Sequence, residues 1–197
     1  MGVFALTGEP ASGKSMAAAL LNAKGAEIFD ADECVHGFYR DTGSMVYKKV
    51  VRYFPSALKN GVICRDILGD IVFRDPKALS ILEGITHPAV IRSMKKWIRQ
   101  KRKQDGIFIA EVPLLFEKKL DILFDSVILV TVKKDILLCR LMGLRKLTKE
   151  DAQRRLGLFK DIRVKQALAG YVVKNNGTKK DFKKKVDLLW EKLKRVR

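Results

Sequence analysis

The residues with the clearest chemical meaning form a glycine-rich loop that ends in lysine and serine. Eight consecutive positions, Gly8 to Ser15, match the pattern G-x-x-x-x-G-K-[ST]. The glycines let backbone amides approach a phosphate closely, Lys14 reaches the terminal phosphates, and the Ser15 hydroxyl suits Mg²⁺. The motif therefore predicts a site for ATP and Mg²⁺, whose nucleotide-binding residues are Gly8, Ala11, Ser12, Gly13, Lys14, Ser15 and Met16.

Such a loop needs a strand before it and a helix after it, and the sequence provides both. The apolar run Val3 to Thr7 precedes Gly8, and the helix-forming run Met16 to Leu21 follows Ser15. A helix in that place points its positive N-terminus at the bound anion. Further strands are predicted at 27–30, 107–111, 126–132 and 171–174, alternating with helical patterns. The alternation predicts an α/β fold of the P-loop NTPase type, with three layers and a mainly parallel five-stranded sheet.

The long segment between the second and third predicted strands differs from the rest. Residues 32–104 show helical patterns, among them 66–82 and 87–103, and no convincing strand. We expect a single domain whose core comprises residues 1–31 and 105–197. Residues 32–104 are then a helical insertion that binds the molecule accepting the phosphoryl group.

The composition is strongly basic, with 40 lysines and arginines against 22 acidic residues and a formal net charge of +18. Such a surplus attracts anions. It is concentrated in 92–103 and 179–197, where the basic residues lie largely opposite the apolar ones. These stretches are typical of solvated helix faces, and a nucleic-acid partner is not favoured.

Three weaker features of the sequence bear on the location of the protein. No window of eighteen apolar residues and no signal-peptide pattern is present, and the three cysteines are scattered. We expect a cytoplasmic protein with no membrane partner, monomeric or weakly oligomeric.

Other classes of P-loop protein lack their motifs here. A GTPase needs an N-K-x-D-like motif, whereas Asn175 to Thr178 contains neither lysine nor aspartate. A motor or helicase ATPase usually has Asp-Glu after four apolar residues, whereas the run Ile107 to Glu111 ends in a single carboxylate. Size and layout instead indicate a small-molecule or nucleotide kinase.

Seven segments, taken in order, resemble the dephospho-CoA kinase family, whose members phosphorylate the ribose 3′-hydroxyl of dephospho-coenzyme A. The resemblance covers nearly the whole chain and implies ATP and dephospho-CoA as substrates, with coenzyme A as the product in the last step of its biosynthesis. The segments are Leu6-Thr7-Gly8, Asp30-Ala31-Asp32, Arg65 to Phe73, Leu82 to Pro88, Glu111 to Glu117, Arg140-Leu141-Met142 and Ala169 to Thr178.

The resemblance assigns the acceptor-binding residues. It makes Asp32 the candidate base and places Thr7, Arg65 and His87 at the acceptor. A base is needed because a sugar hydroxyl is a poor nucleophile until a carboxylate takes its proton. The residues alone leave alternatives open, since an aspartate at a strand end is often a helix N-cap and a lone histidine is often a structural hydrogen-bonding residue.

The resemblance also implies roles at the nucleotide. Glu111 assists the Mg²⁺ ion bound by Ser15, directly or through water, although a core carboxylate paired with an arginine is the other interpretation of Glu111. Asn175 and Gly177 resemble the loop that meets adenine. Arg140 matches the catalytic arginine of a lid at about 140–160.

The lid departs from the family pattern at two positions. Leu144 and Phe159 stand where the family has arginine and glutamine. Basic residues close by in the sequence offer a replacement for the missing charge, namely Arg145, Arg154 and Arg155.

Two other functions fit parts of the sequence. A nucleoside or nucleotide kinase shares the core and differs in the insertion at 32–104. A basic P-loop protein that binds nucleic acid fits the net charge of +18.

Overall fold

The computed structural model describes residues 2–145, 148, 150, 156 and 161–195, with only the backbone at 144 and 145. The chain divides into two compact units. The first unit comprises Met1–Phe29 and Ile98–Arg197, and the second comprises Asp30–Trp97. None of the described helices is long and apolar enough to cross a membrane.

Seven strands and eight α-helices are described. The strands are β1 (Gly2–Gly8), β2 (Glu27–Asp30), β3 (Leu58–Lys59), β4 (Val62–Ile63), β5 (Ile107–Glu111), β6 (Ser126–Thr131) and β7 (Tyr171–Lys174). The helices are α1 (Lys14–Asn22), α2 (Ala31–Arg40), α3 (Met45–Tyr53), α4 (Arg65–Arg74), α5 (Pro76–Lys101), α6 (Lys134–Arg145), α7 (Ile162–Leu168) and α8 (Lys179–Lys194).

The main sheet has five strands in the order β2-β5-β1-β6-β7. Strand β1 pairs in parallel with β5 and β6, and β6 pairs in parallel with β7. The predicted mainly parallel five-stranded sheet is therefore confirmed. In a parallel sheet the carboxyl ends of the strands lie along one edge, so the loop after β1 meets those after β5, β6 and β7 there.

The sheet buries alternate residues against α1 and α8. Phe4 and Leu6 of β1 point to the same face, as the two-residue period of a strand requires, and both are fully buried. Helix α8 contributes an apolar stripe to this core, whose members are Phe182, Val186, Leu189 and Leu193.

The second unit has a separate apolar core, built from α2, α3, α4 and the first part of α5. Its buried residues are Tyr39, Val46, Val50, Phe54, Ala57, Ile63, Leu68, Val72, Ala78 and Ala89. The prediction that no strand lies between 32 and 104 is wrong, because β3 and β4 form a short antiparallel hairpin here. Its turn is Asn60-Gly61, with φ of 49° and 77°. Asn-Gly is the pair that best adopts two successive positive φ angles.

The predicted helices 66–82 and 87–103 are also wrong in their boundaries. The first is broken at Asp75, whose extended ψ of 109° reflects the clash between a proline and the residue before it. Helix α5 then begins at Pro76 and continues to Lys101 through Pro88. Pro88 has no backbone N–H and cannot make the usual helical hydrogen bond. Two residues before it, the Thr86 hydroxyl donates to the Leu82 carbonyl at 2.9 Å, so a side chain supplements the backbone bonding of the helix.

Candidate active site

The phosphate loop adopts a backbone shape that requires its glycines. Gly13 has φ 106°, and a Cβ atom there would lie 2.4 Å from the Asn175 side-chain nitrogen. A Cβ on Gly8 would lie 2.2 Å from the Val130 carbonyl oxygen. Ala11 has φ 60°, a conformation that is uncommon for a residue with a side chain. These residues therefore hold the loop in a single tight turn of the backbone.

Helix α1 begins directly after this curve, at Lys14. Gly13 caps the helix without any side-chain hydrogen bond, and the first turn carries no acidic residue. The first-turn amides of a helix lack intrahelical partners, and the helix dipole makes them favourable to an anion. The local sequence therefore leaves the N-terminus of α1 suited to a phosphate group.

The side chains of Lys14 and Ser15 are each hydrogen-bonded to another residue of the protein. The Lys14 ammonium is largely buried and donates to the Glu9 carbonyl at 3.1 Å. The Ser15 hydroxyl donates to Glu111 Oε1 at 3.1 Å, and Glu111 is buried at the end of β5. A hydroxyl and a carboxylate side by side are hard oxygen donors of the kind that Mg²⁺ takes together with phosphates and water. The residues present therefore fit the ion expected from the sequence.

Comparisons with known proteins decide which kinase this is. The family profile for dephospho-CoA kinase matches residues 2–181. The dephospho-CoA kinases of Aquifex aeolicus and Lactobacillus johnsonii are 35% and 36% identical, covering 96% and 94% of this chain and 96% of each relative. The chain belongs to the dephospho-CoA kinase family.

Solved structures agree with this membership. The structure of the dephospho-CoA kinase from Campylobacter jejuni superposes with a TM-score of 0.72 at 27% identity, covering 97% of this chain and 96% of that one. The shikimate kinase from Acinetobacter baumannii has a TM-score of 0.53 at 16% identity, covering 100% and 96%. The second likeness shows the shared fold alone. Like other members of its family, the chain is a kinase of coenzyme A biosynthesis.

In this dephospho-CoA kinase family member, Asn175 connects the loop after β7 to the phosphate loop. Its buried side-chain amide donates to the Ser12 carbonyl at 2.8 Å, across 163 positions of sequence. The Asn175 carbonyl in turn accepts a hydrogen bond from Arg140 Nη2 at 3.2 Å. The half-buried Arg140 side chain is thereby fixed near the loop. The resemblance named Arg140 and Asn175 separately and did not reveal that they are joined.

Three further predicted residues lie in the same unit. Thr7 is fully buried and donates its hydroxyl to the Pro113 carbonyl at 3.3 Å. Met16 is half-buried in the first turn of α1. Gly177 precedes α8, and a Cβ on it would lie 3.0 Å from Asp181 Oδ2. Of the predicted lid at 140–160, the side chains of Leu144 and Arg145, together with Arg154, Arg155 and Phe159, lie outside the described residues.

The second unit places Asp32 and Arg65 in one groove. Its apolar wall comes from α2, α4 and α5, and the exposed ring of Phe73 stands at its margin. The groove combines a carboxylate, a guanidinium and an apolar surface within one unit. Its lining residues are Asp32, Val35, His36, Tyr39, Arg65, Leu68, Gly69, Val72, Phe73, Leu79 and Leu82.

The N-cap of α2 is Asp30, not Asp32. The Asp30 carboxylate accepts from the backbone amides of Asp32 and Glu33, at 2.8 and 3.1 Å. The capping interpretation therefore belongs to Asp30, and the exposed Asp32 side chain projects from the first turn of α2, where it lines the groove.

Charged groups surround the polar side of the groove. Arg65 Nη1 lies 3.4 Å from His36 Nδ1, which is 3.3 Å from Glu33 Oε2. Burial raises the pKa of Tyr39 to about 12 against the lowering effect of Arg65, so its phenol stays protonated at neutral pH. His87 lies half-buried on α5 and is not among the groove residues of this unit. The sequence did not single out His36, Tyr39 or Phe73 as groove residues.

Proposed function

We propose that this kinase transfers the γ-phosphoryl group of ATP, bound with Mg²⁺ at the phosphate loop, to the ribose 3′-hydroxyl of dephospho-CoA. The observation that supports it best is the phosphate loop itself, in which an uncapped helix N-terminus stands beside Lys14 and the Ser15–Glu111 pair. Together with family membership, this arrangement favours an alcohol-phosphorylating kinase over a basic nucleic-acid-binding protein.

The nucleotide is held by one set of residues in the first unit. Lys14 exchanges the Glu9 carbonyl for the β- and γ-phosphates, where its charge opposes the negative charge that develops during transfer. Ser15 and Glu111 hold the Mg²⁺ ion, which supplies charge neutralisation at the phosphates. Arg140 adds a second cation, and the loop of Asn175 and Gly177 contacts adenine.

The acceptor is held in the groove of the second unit. Arg65 offers a planar fork of donors to the diphosphate oxygens of dephospho-CoA. The apolar wall suits the pantetheine arm, which carries little charge. The resemblance assigns Thr7 and His87 to the acceptor as well; because Thr7 is fully buried with its hydroxyl on the Pro113 carbonyl and His87 is not among the groove residues, the proposal rests on Asp32 and Arg65.

Asp32 acts as the general base in the proposed reaction. The ribose hydroxyl oxygen forms a bond to the γ-phosphorus while the bond from that phosphorus to the bridging oxygen of ADP breaks. The hydroxyl proton passes to Asp32, and ADP leaves with the electron pair of the broken bond. We further propose that the protein works in the cytoplasm as a monomer or weak oligomer.

An acceptor panel tests the proposal. The protein is incubated with labelled ATP and MgCl₂, and with dephospho-CoA, adenosine, AMP, CMP or shikimate as acceptor. We expect label in coenzyme A alone, and none when EDTA replaces MgCl₂. Transfer to a nucleoside monophosphate without transfer to dephospho-CoA would contradict the proposal and favour a nucleotide kinase.

A further inference from the structure

A groove runs along the outer edge of the main sheet, between β7 and α8. Strand β7 stands last in the order β2-β5-β1-β6-β7, so among the described strands β6 is its one neighbour. Lysines and apolar residues line the groove, among them Lys174, Lys185, Leu188 and Lys192. These residues have no part in the ATP or acceptor sites proposed above, so the groove calls for a separate explanation.

The backbone of β7 presents hydrogen-bonding groups to this groove. Just after the strand, the Asn175 amide donates to the Thr131 carbonyl of β6 at 2.7 Å. Because alternate residues of a parallel strand bond to opposite sides, Val172 and Lys174 direct their N–H and C=O groups away from β6. The Lys174 carbonyl accordingly accepts from a side chain, Lys185 Nζ, at 2.8 Å. An outward row of this kind can pair with a further strand.

The side chains around this edge are apolar or cationic. Val172 is 41% exposed and Leu188 is 66% exposed. Lys185, Leu188 and Lys192 follow each other at intervals of three and four positions, so they form one stripe of α8. None of the described acidic residues lines the groove. Those of α8 have other partners: Asp181 bonds to Thr178 in the helix cap, Asp187 pairs with Lys24, and Glu191 pairs with Lys194.

The charge of the groove determines which kind of strand fits this edge. A second copy of the chain would bring its own lysines against those of the first, and facing like charges destabilise a strand pair. An acidic segment has the opposite effect, because its carboxylates can replace the neutral Lys174 carbonyl as the partner of Lys185. Hydrogen bonds between two charged groups are the stronger kind. The same lysines therefore oppose self-association and favour an acidic partner.

We propose that the groove between β7 and α8 is a docking site for an acidic segment of another protein, which adds to the main sheet as a further strand. The outward backbone groups of Val172 and Lys174 hydrogen-bond to that segment. Lys185 and Lys192 pair with its carboxylates, and its apolar side chains cover Val172 and Leu188. A lipid surface fits less well, because it offers no backbone groups to a strand edge. The proposal does not depend on the phosphoryl transfer proposed above.

The test uses three fluorescein-labelled peptides and the full-length protein, without ATP or acceptor. The first peptide is acetyl-Glu-Val-Glu-Val-Glu-Val-Glu-Val-amide, whose alternation places carboxylates on one face of a strand and apolar groups on the other. The second has lysine in place of every glutamate. The third is the first peptide N-methylated at every residue, so it keeps its charges and has no N–H group to donate to β7.

Two variants separate the groove from the general charge of the helix. Lys185→Gln/Lys192→Gln removes two positive charges from the groove. Lys180→Gln/Lys183→Gln is the matched control, because it removes two exposed positive charges from the same helix outside the groove. Tm and the rate of coenzyme A formation are measured for each variant and should stay close to those of the wild type.

We expect fluorescence anisotropy to show binding of the glutamate peptide and not of the lysine or N-methylated peptides. Lys185→Gln/Lys192→Gln should raise the Kd about tenfold, the size expected from the loss of two largely exposed ion pairs. The control variant should change the Kd less than about twofold. Hydrogen exchange should slow at the Val172 amide when the glutamate peptide is added, because that amide gains an acceptor.

Four outcomes overturn the proposal: no binding of the glutamate peptide at up to about 1 mM, equal binding of the N-methylated peptide, equal losses in the two variants, or unchanged exchange at the Val172 amide. Binding to phosphatidylserine vesicles that is weakened by Lys185→Gln/Lys192→Gln, without peptide binding, would assign the groove to a membrane surface instead. Sedimentation that shows dimers lost in the same variant would assign it to a second copy. If that variant does not fold, Lys192→Gln alone takes its place, because Lys192 leaves the bond between Lys185 and the Lys174 carbonyl intact.

Discussion

The donor side chains of the phosphate site are each hydrogen-bonded to protein atoms that ATP and Mg²⁺ must replace or share. Lys14 donates to the Glu9 carbonyl, Ser15 to Glu111, and Arg140 to the Asn175 carbonyl. These bonds hold the donors close to where the phosphates are expected, so little side-chain freedom is lost when ATP binds. When ATP binds, Lys14 and Arg140 exchange neutral carbonyl acceptors for charged phosphate oxygens, and hydrogen bonds to charged groups are the stronger kind.

Lys14→Ala removes a cation whose value is greatest in the transition state. We expect kcat for coenzyme A formation to fall by at least about 10²-fold, as for loss of one preorganised transition-state donor. The Lys14 side chain makes its bond to a carbonyl of its own loop, so the fold survives, and circular dichroism and Tm check this. A turnover number close to that of the wild type would remove Lys14 from the catalytic set.

Asp32→Asn tests the general base against a matched neighbour. The substitution keeps the size and polarity of a side chain that lines the groove, and removes only its ability to take a proton. We expect kcat to fall by about 10²–10⁴-fold with the Kd for ATP unchanged. Asp30→Asn is the control, because asparagine also caps a helix, and kcat should be nearly unaffected. Equal losses in both variants would assign the effect to the start of α2 and not to a base.

Among the elements, helix α8 is defined by a reciprocal cap at its first turn. The Thr178 hydroxyl accepts from the Asp181 amide at 3.2 Å and donates to Asp181 Oδ2 at 2.7 Å, and the Thr178 amide donates to the same oxygen at 3.1 Å. These bonds lower the pKa of Asp181 from its ordinary value of 3.8. The cap stabilises the helix that covers one face of the sheet.

A lowered pKa makes this contribution to stability depend on pH. Asp181 stabilises the folded protein above its unfolded-state pKa, and this stabilisation is lost as pH falls through the lower folded-state pKa. Asp181→Asn should therefore reduce the free energy of unfolding at pH 7, with a difference from wild type that shrinks below about pH 4. Urea titrations at several pH values measure this. Glu191→Gln, which removes an exposed pair with Lys194 on the same helix, should change stability by only a few tenths of a kcal/mol.

The elements also show how far the sequence predicts the fold. Strands β2, β5 and β7 begin and end where their patterns indicate, because short runs of β-branched and aromatic residues favour a strand over a helix. The break at Asp75 is signalled by Pro76, but the prediction of one helix at 66–82 followed the helical periodicity across it. The hairpin is signalled by the Asn60-Gly61 pair, which was not used because the flanking strands have only two residues each.

The contacts of the site were less accessible to sequence reasoning than its residue types. The phosphate loop is local and was fully specified by eight consecutive positions. The bond from Asn175 to the Ser12 carbonyl spans 163 positions. Such contacts depend on strand order and helix packing, which one sequence without relatives does not determine.

For the whole molecule, the net charge of +18 affects how substrates arrive more than how they react. ATP and dephospho-CoA are both anions, and a positive field raises their rates of association. Part of the surplus lies on α8, where Lys180, Lys183 and Lys184 are exposed. The attraction of such exposed charges for an approaching anion is screened by salt, because the Debye length falls from about 14 Å at 50 mM to about 4 Å at 500 mM.

Raising NaCl from about 50 to about 500 mM should therefore increase the KM of both substrates, by about tenfold, with little change in kcat. The KM rises because association slows, whereas transfer occurs between groups already in contact. Replacing Lys180, Lys183 and Lys184 with glutamine removes three positive charges and should make the dependence of KM on salt less steep, with kcat and Tm kept. If kcat fell with salt while KM stayed constant, the charge would act on the bound state, and a field that steers anions to the enzyme would be the wrong explanation for its basic surface.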